Sequence, residues 1–183
     1  MRYLSALTVV AVTLVATSSQ ASVLTIGGGF ATSCYQSAER QDSRNQSIED
    51  CDRALSEEAL INEDRVATFV NRGVLHLRRG NLAAASSDFD SALRINPRQP
   101  EAWLNKAVLK ARYGKTVDAL PFVAKALEFQ TRKPALAYFV RAMANEDDGN
   151  IKAAYRDLLR ARDLDPEWQE PVIELRRFKV RQL

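Results

Sequence analysis

Chemistry at neutral pH calls for an imidazole, a thiolate or a poised pair of carboxylates, and this sequence holds few of them. Its one histidine is His76 and its two cysteines are Cys34 and Cys51. No motif sets a serine or cysteine beside His76, so the base-and-nucleophile pairing of covalent catalysis is not signalled. Paired acids such as Glu57-Glu58 and Asp147-Asp148 fall where helices end or turn, which are routine places for acidic residues. A structural zinc ion takes four ligands, and one cysteine pair with a single histidine does not supply them. Gly27-Gly28-Gly29 has neither a preceding strand nor a lysine three or four residues on, so it reads as a lead-in and not a phosphate loop. The expectation is a protein without catalytic residues, metal or cofactor.

The elements around these residues begin with an export signal. Met1-Arg2 is a short basic start, Tyr3 to Ala16 is an apolar run of signal-core length, and Ser19-Gln20-Ala21 offers small residues at the two positions a signal peptidase reads. Residues 1–21 are therefore expected to be a signal peptide cleaved after Ala21. A membrane anchor would need roughly 20 apolar residues, and Thr13 and Thr17 to Gln20 interrupt this stretch. Removing Arg2 leaves 25 basic and 23 acidic residues, a net charge of +2, with the signs interspersed. That distribution argues against a nucleic-acid binder. Export to a periplasm is expected, with secretion as the second route, and no stable membrane anchor after cleavage.

A fixed period runs through most of the remaining chain. Gly80, Gly114 and Gly149 recur at steps of 34 and 35, and the sets Ala85, Ala119, Ala154 and Ala92, Ala126, Ala161 keep the same steps. Periods of this size mark stacked supersecondary units. Within Val66 to Gln99, one apolar-periodic stretch runs from Thr68 to Arg79, Gly80-Asn81 break it, and a second runs from Leu82 to Ile95 before Asn96-Pro97. Two helices pack closely only if small residues sit at their crossing, and Gly73, Ala85 and Ala92 supply them while Phe69, Leu82, Phe89 and Leu93 fill the space. Glycine at the turn permits left-handed backbone.

These positions resemble the tetratricopeptide repeat. In Val66 to Gln99, Phe69, Gly73 and His76 take the aromatic, small and tyrosine places of the first helix, and Ala85, Phe89, Ala92 and Pro97 complete the second. Pro100 to Lys133 repeats the pattern with Trp103, Ala107, Gly114, Ala119, Val123 and Ala126, with Thr131 at the proline place. Ala135 to Trp168 repeats it with Tyr138, Ala142, Gly149, Ala154, Leu158, Ala161 and Pro166, after Pro134 as a one-residue insert. The resemblance covers 102 of 183 residues. It implies an all-α, helix-turn-helix repeat solenoid, and it implies that His76 packs as the family tyrosine does.

The expected organisation is a signal peptide over 1–21, a flexible lead-in over 22–29, a divergent first helix pair over 30–65, three repeats over 66–99, 100–133 and 135–168, and a capping helix over 169–183. In the first pair, Cys51 and Ala54 precede Phe89 and Ala92 by 38 residues, which places extra residues around Glu58 to Asp64. Pro171 can open the cap, with Val172, Leu175 and Phe178 as its apolar stripe and Arg176, Arg177, Lys179 and Arg181 facing water. One cysteine lies in each helix of the first pair. A Cys34–Cys51 disulfide fits an exported chain, and two small buried hydrophobes are the other reading.

The resemblance also points to an inner surface, lined by the second, fifth, sixth, ninth and twelfth places of each first helix. Carried onto this chain those places include Val70, Asn71, Val74 and Leu77, then Leu104, Asn105, Val108 and Ala111, then Phe139, Val140 and Met143. Two stacked amides in an apolar wall suit an extended peptide, because an amide both donates and accepts. Coverage of part of this wall by a neighbouring helix or the cap is the competing reading. The carboxylate clamp of chaperone-binding members is disfavoured: Val70, Val74, Leu136 and Val140 stand at four of its places, and only Asn105 agrees. Arg72 with Asp88 and Arg141 with Asp157 recur at the same two places and predict a surface ion pair between the helices of each repeat. The function expected is a non-enzymatic scaffold that binds a protein or peptide on its concave face. An envelope assembly factor that oligomerises through its outer face and cap, with the groove filled internally, is the alternative.

Overall fold

The computed structural model describes residues 21–23 and 29–178; the expected signal sequence up to Gln20, residues 24–28, and Lys179 and Arg181 of the expected cap lie outside them. Among the described residues the chain forms nine α-helices, one 3-10 turn and no strand. In order, α1 is Phe30–Glu39, α2 Asn45–Glu57, α3 Asn62–Arg78, α4 Leu82–Ile95, α5 Pro100–Arg112, α6 Leu120–Glu128, α7 Pro134–Asp147, α8 Ile151–Leu164 and α9 Gln169–Leu175. Helices pack mainly on their chain neighbours, as α1 with α2, α3 with α4, α5 with α6 and α7 with α8. Further contacts of α1 with α3, α3 with α5 and α5 with α7 bring the first helices of successive pairs side by side.

The crossings follow from the small residues. A methyl group built on Gly73 would stand 2.5 Å from the Phe89 ring, which is itself fully buried. Only glycine lets α3 approach α4 that closely, and burying the ring contributes about 1.5–3 kcal/mol. Ala85, Ala92, Ala107, Ala126, Ala142, Ala154 and Ala161 are all fully buried. Gly80, Gly114 and Gly149 have φ of 77°, 68° and 80° and open space around them, so backbone handedness and not crowding selects glycine at these turns.

Several boundaries differ from the sequence reading. The extra residues expected around Glu58 to Asp64 mostly lengthen α3, which begins at Asn62. Between Gly114 and α6, residues Val117–Ala119 make a 3-10 turn, and α6 has 9 residues where α4 and α8 have 14. Pro121 explains this: lacking an N–H and clashing with the preceding turn, it fits only in the first turn of a helix. The C-terminal helix begins at Gln169, with Pro171 in its first turn, and ends at Leu175. Leu175 and Phe178 still pack on the cluster of Phe139, Ala142, Leu158 and Ala161. The first pair carries its own cap, since the Glu58 carboxylate accepts from the N–H groups of Phe30 and Ala31 at the start of α1.

Cys34 on α1 and Cys51 on α2 stand at disulfide distance, with sulfurs 2.14 Å and Cα atoms 4.8 Å apart across 17 residues. Closing a loop of this length is worth about 3 kcal/mol in the unfolded-chain entropy model. Reduction of the oxidised protein should therefore lower its melting temperature by about 6–12 °C. Calorimetry with and without reductant checks this, with a Cys34→Ser/Cys51→Ser double variant as the control; two titratable thiols in the oxidised, denatured protein would contradict the bridge.

Candidate functional site

The first helices α3, α5 and α7 place Asn71, Asn105 and Val140 at corresponding positions on one wall. Asn71 and Asn105 are both 0% exposed. An amide so buried costs about 1–3 kcal/mol unless it is paired, and the partner comes from the chain itself. Residues Ala21–Val23 lie along the wall. Asn71 Nδ2 donates to the Val23 carbonyl at 2.7 Å, and its Oδ1 accepts from the Val23 N–H at 2.7 Å. Asn105 Nδ2 donates to the Ala21 carbonyl at 2.7 Å. Its Oδ1 is buried and has no partner among the described residues. Ser22 Oγ hydrogen-bonds to Glu39 on α1.

The side chains of this segment enter two separate apolar clusters. Ala21 is fully buried in the cluster containing Val74, Leu77, Leu104, Val108, Leu136 and Val140. Val23 packs on the cluster of Val66, Val70, Ala92 and Ala102. Of the predicted groove residues, Val70, Asn71, Val74, Leu77, Leu104, Asn105, Val108 and Phe139 are all buried. The wall is thus covered, and at its Asn71–Asn105 stretch the cover is an N-terminal segment instead of a neighbouring helix or the cap. Ser22 and Val23, read from sequence as part of a flexible lead-in, are packed. Phe139 turns to the C-terminal side and packs against Trp168, with centroids 4.9 Å apart and ring planes tilted by 55°.

At its α5–α7 end the wall borders a pocket of about 320 Å³. Val108, Leu136, Val140 and Met143 line its apolar floor, and Arg112, Glu146, Asp147, Glu174 and Arg177 stand around it. Arg177 bridges Glu146 of α7 and Glu174 of α9, which fixes the cap against this rim.

The recurrent ion pairs form, and they are less exposed than expected. Arg72 grips Asp88 through Nε and Nη2 at 3.0 and 2.6 Å, and Arg141 grips Asp157 at 2.8 and 2.7 Å. Asp88 and Asp157 are buried, so each pair is a two-point clamp inside a helix crossing and not a solvated surface contact. Burial opposes the Arg72 charge, but Asp88 and Asp52 more than offset it and raise its pKa. Asp157 likewise raises that of Arg141. The α5–α6 pair has another device: Phe122 stands where the aspartate would, and Lys106 lies 5.5 Å from its ring while pairing with Asp90 of α4. Sequence reasoning missed this exchange, although Lys106 at the arginine place was visible.

His76 is half-buried on α3, and its Nδ1 is enclosed without a hydrogen-bond partner among the described residues. Among the described residues no three His, Cys, Asp or Glu side chains gather as a metal site, and no helix is long and apolar enough to cross a membrane. No protein-family model and no curated protein matches the chain.

Desolvation lowers the His76 pKa below its ordinary 6.5, against the pull of Asp88. With the folded pKa below the unfolded one, the unfolded chain takes up the proton first as pH falls past 6.5. Stability should drop from there down to the folded pKa. Urea unfolding between about pH 7.5 and about pH 5.5 should show a smaller loss in His76→Gln than in wild type; an equal loss in both would mean that His76 is not the responsible group.

Proposed function

We propose that the protein is an exported, non-enzymatic scaffold that holds an extended stretch of polypeptide along the wall formed by α3, α5 and α7. The observation that carries this reading is the two-point hydrogen bonding of Asn71 to the backbone of Val23, a contact that any extended residue can make because it uses only main-chain atoms. The side-by-side first helices and the alanine and glycine crossings support a tetratricopeptide-like solenoid as the scaffold. The Cys34–Cys51 pair at disulfide distance supports an oxidising compartment, and the periplasm is the proposed location.

The filling of the Asn71–Asn105 stretch by the chain itself favours a second reading, in which the protein assembles through its outer face and cap. That face presents Ile151 and Ile173, which are 50% and 53% exposed. The two readings separate by photo-crosslinking in cells. A benzophenone amino acid at Met143, on the pocket floor, should capture a partner chain, and Ala111→Asp, at a partly exposed lining position, should abolish that adduct while helicity is retained. Adducts from position 151 or 173 alone, insensitive to Ala111→Asp, would favour outer-face assembly and rule out the groove.

A further inference from the structure

We infer that, in a chain processed on the N-terminal side of Ala21 and not after it, Ala21–Val23 is a displaceable internal ligand, and that the groove's partner is an extended segment with a small side chain where Ala21 sits and a β-branched one two residues later. This rests on the groove reading above and adds the occupant's register and the competition it must win. The first support is spacing. Residues 21 and 23 are two apart, so in an extended strand their carbonyls and side chains repeat along the same edge, and they meet Asn105 and Asn71 at the same place of adjacent repeats. One strand residue pair per repeat is a register that another extended chain can adopt.

The second support is an unused acceptor. Asn71 satisfies both its donor and its acceptor on one residue, whereas Asn105 uses its donor only, and its buried Oδ1 has no partner among the described residues. A segment whose N–H reaches that oxygen gains a hydrogen bond that the internal ligand leaves unmade. The third support is the pocket at the α5–α7 end of the wall, floored by Val108, Leu136, Val140 and Met143, which offers apolar area to the residues preceding the small one.

The side chains set the selectivity. The place that Ala21 fills is fully enclosed by Val74, Leu104, Leu136 and their neighbours, so a larger residue there overpacks the site. Val23 stands against Val66, Val70, Ala92 and Ala102, where a branched aliphatic fits and a charge does not. A tethered ligand acts at an effective concentration near the millimolar range. A free segment must therefore outbid it, and loosening the tethered one should make binding visible. Truncating Asn71 or Asn105 would weaken both occupants together, so the discriminating changes lie in the internal ligand.

A peptide with the sequence of residues 19–25, blocked at both ends and fluorescently labelled, is titrated by anisotropy against purified full chain whose retention of Ala21 is verified by mass spectrometry. Val23→Gly and Val23→Asp loosen the internal ligand, and circular dichroism checks that each variant keeps its helicity. Both should bind the peptide at least about tenfold more tightly than wild type, a difference of about 1.4 kcal/mol. A peptide with Trp at the Ala21 place should lose that gain. Equal affinity for wild type and both variants would overturn the internal-ligand inference while leaving groove binding in place. Failure of the folded variants to bind at all would overturn both.

Discussion

A carboxamide sealed from water is destabilised by every donor or acceptor left unpaired, and in this protein that constraint falls on the wall of α3 and α5. Asn71 and Asn105 are enclosed by aliphatic side chains on α3 and α5, where no neighbouring helix offers them main-chain groups because helical N–H and C=O groups are already paired. Only an extended strand supplies free backbone at that spacing. With Ala21–Val23 lying there, Val70, Val74, Leu77 and Leu104 are core residues as well as wall residues, and the segment joins two apolar clusters, with Ala21 in one and Val23 against the other. The wall and its occupant are one packing problem.

The scaffold that presents the amides depends on close helix crossings repeated down the chain. Gly73 under Phe89 sets the tightest of them, and alanines hold the others. Buried Asp88 and Asp157 then pin the first and second helices of their pairs through bidentate arginines, which fixes rotation as well as distance. Arg72 also reaches Asp52 on α2 at 2.7 Å, so the same guanidinium ties the α1–α2 pair to the α3–α4 pair that follows.

What the sequence disclosed and what it hid follow the same physical line. The alanine and glycine positions were legible because a steric demand made at each helix crossing leaves a periodic trace, and the Arg72–Asp88 and Arg141–Asp157 pairs were legible for the same reason. Their burial was not, since spacing carries no depth. The short α6 had a visible cause in Pro121, but the period of Ala119, Val123 and Ala126 masked it. The seat of Ala21–Val23 left no trace. Three extended residues have no periodicity, their partners lie 48 and 84 residues away, and alanine, serine and valine are unremarkable at the end of a signal-like stretch. The asparagines announced that a backbone should be held there and could not say whose.

The amide proton of Val23 reports most directly on whether Asn71 and Asn105 hold an extended backbone. It is donated to Asn71 Oδ1 at 2.7 Å, so its exchange with solvent should be at least about tenfold slower than in an unstructured peptide, and Asn71→Ala should return it to the unstructured rate without loss of the α3 and α4 amide protection. Exchange of the Val23 amide at the unstructured rate in the wild-type protein would contradict the assignment of these two amides as a peptide-holding pair.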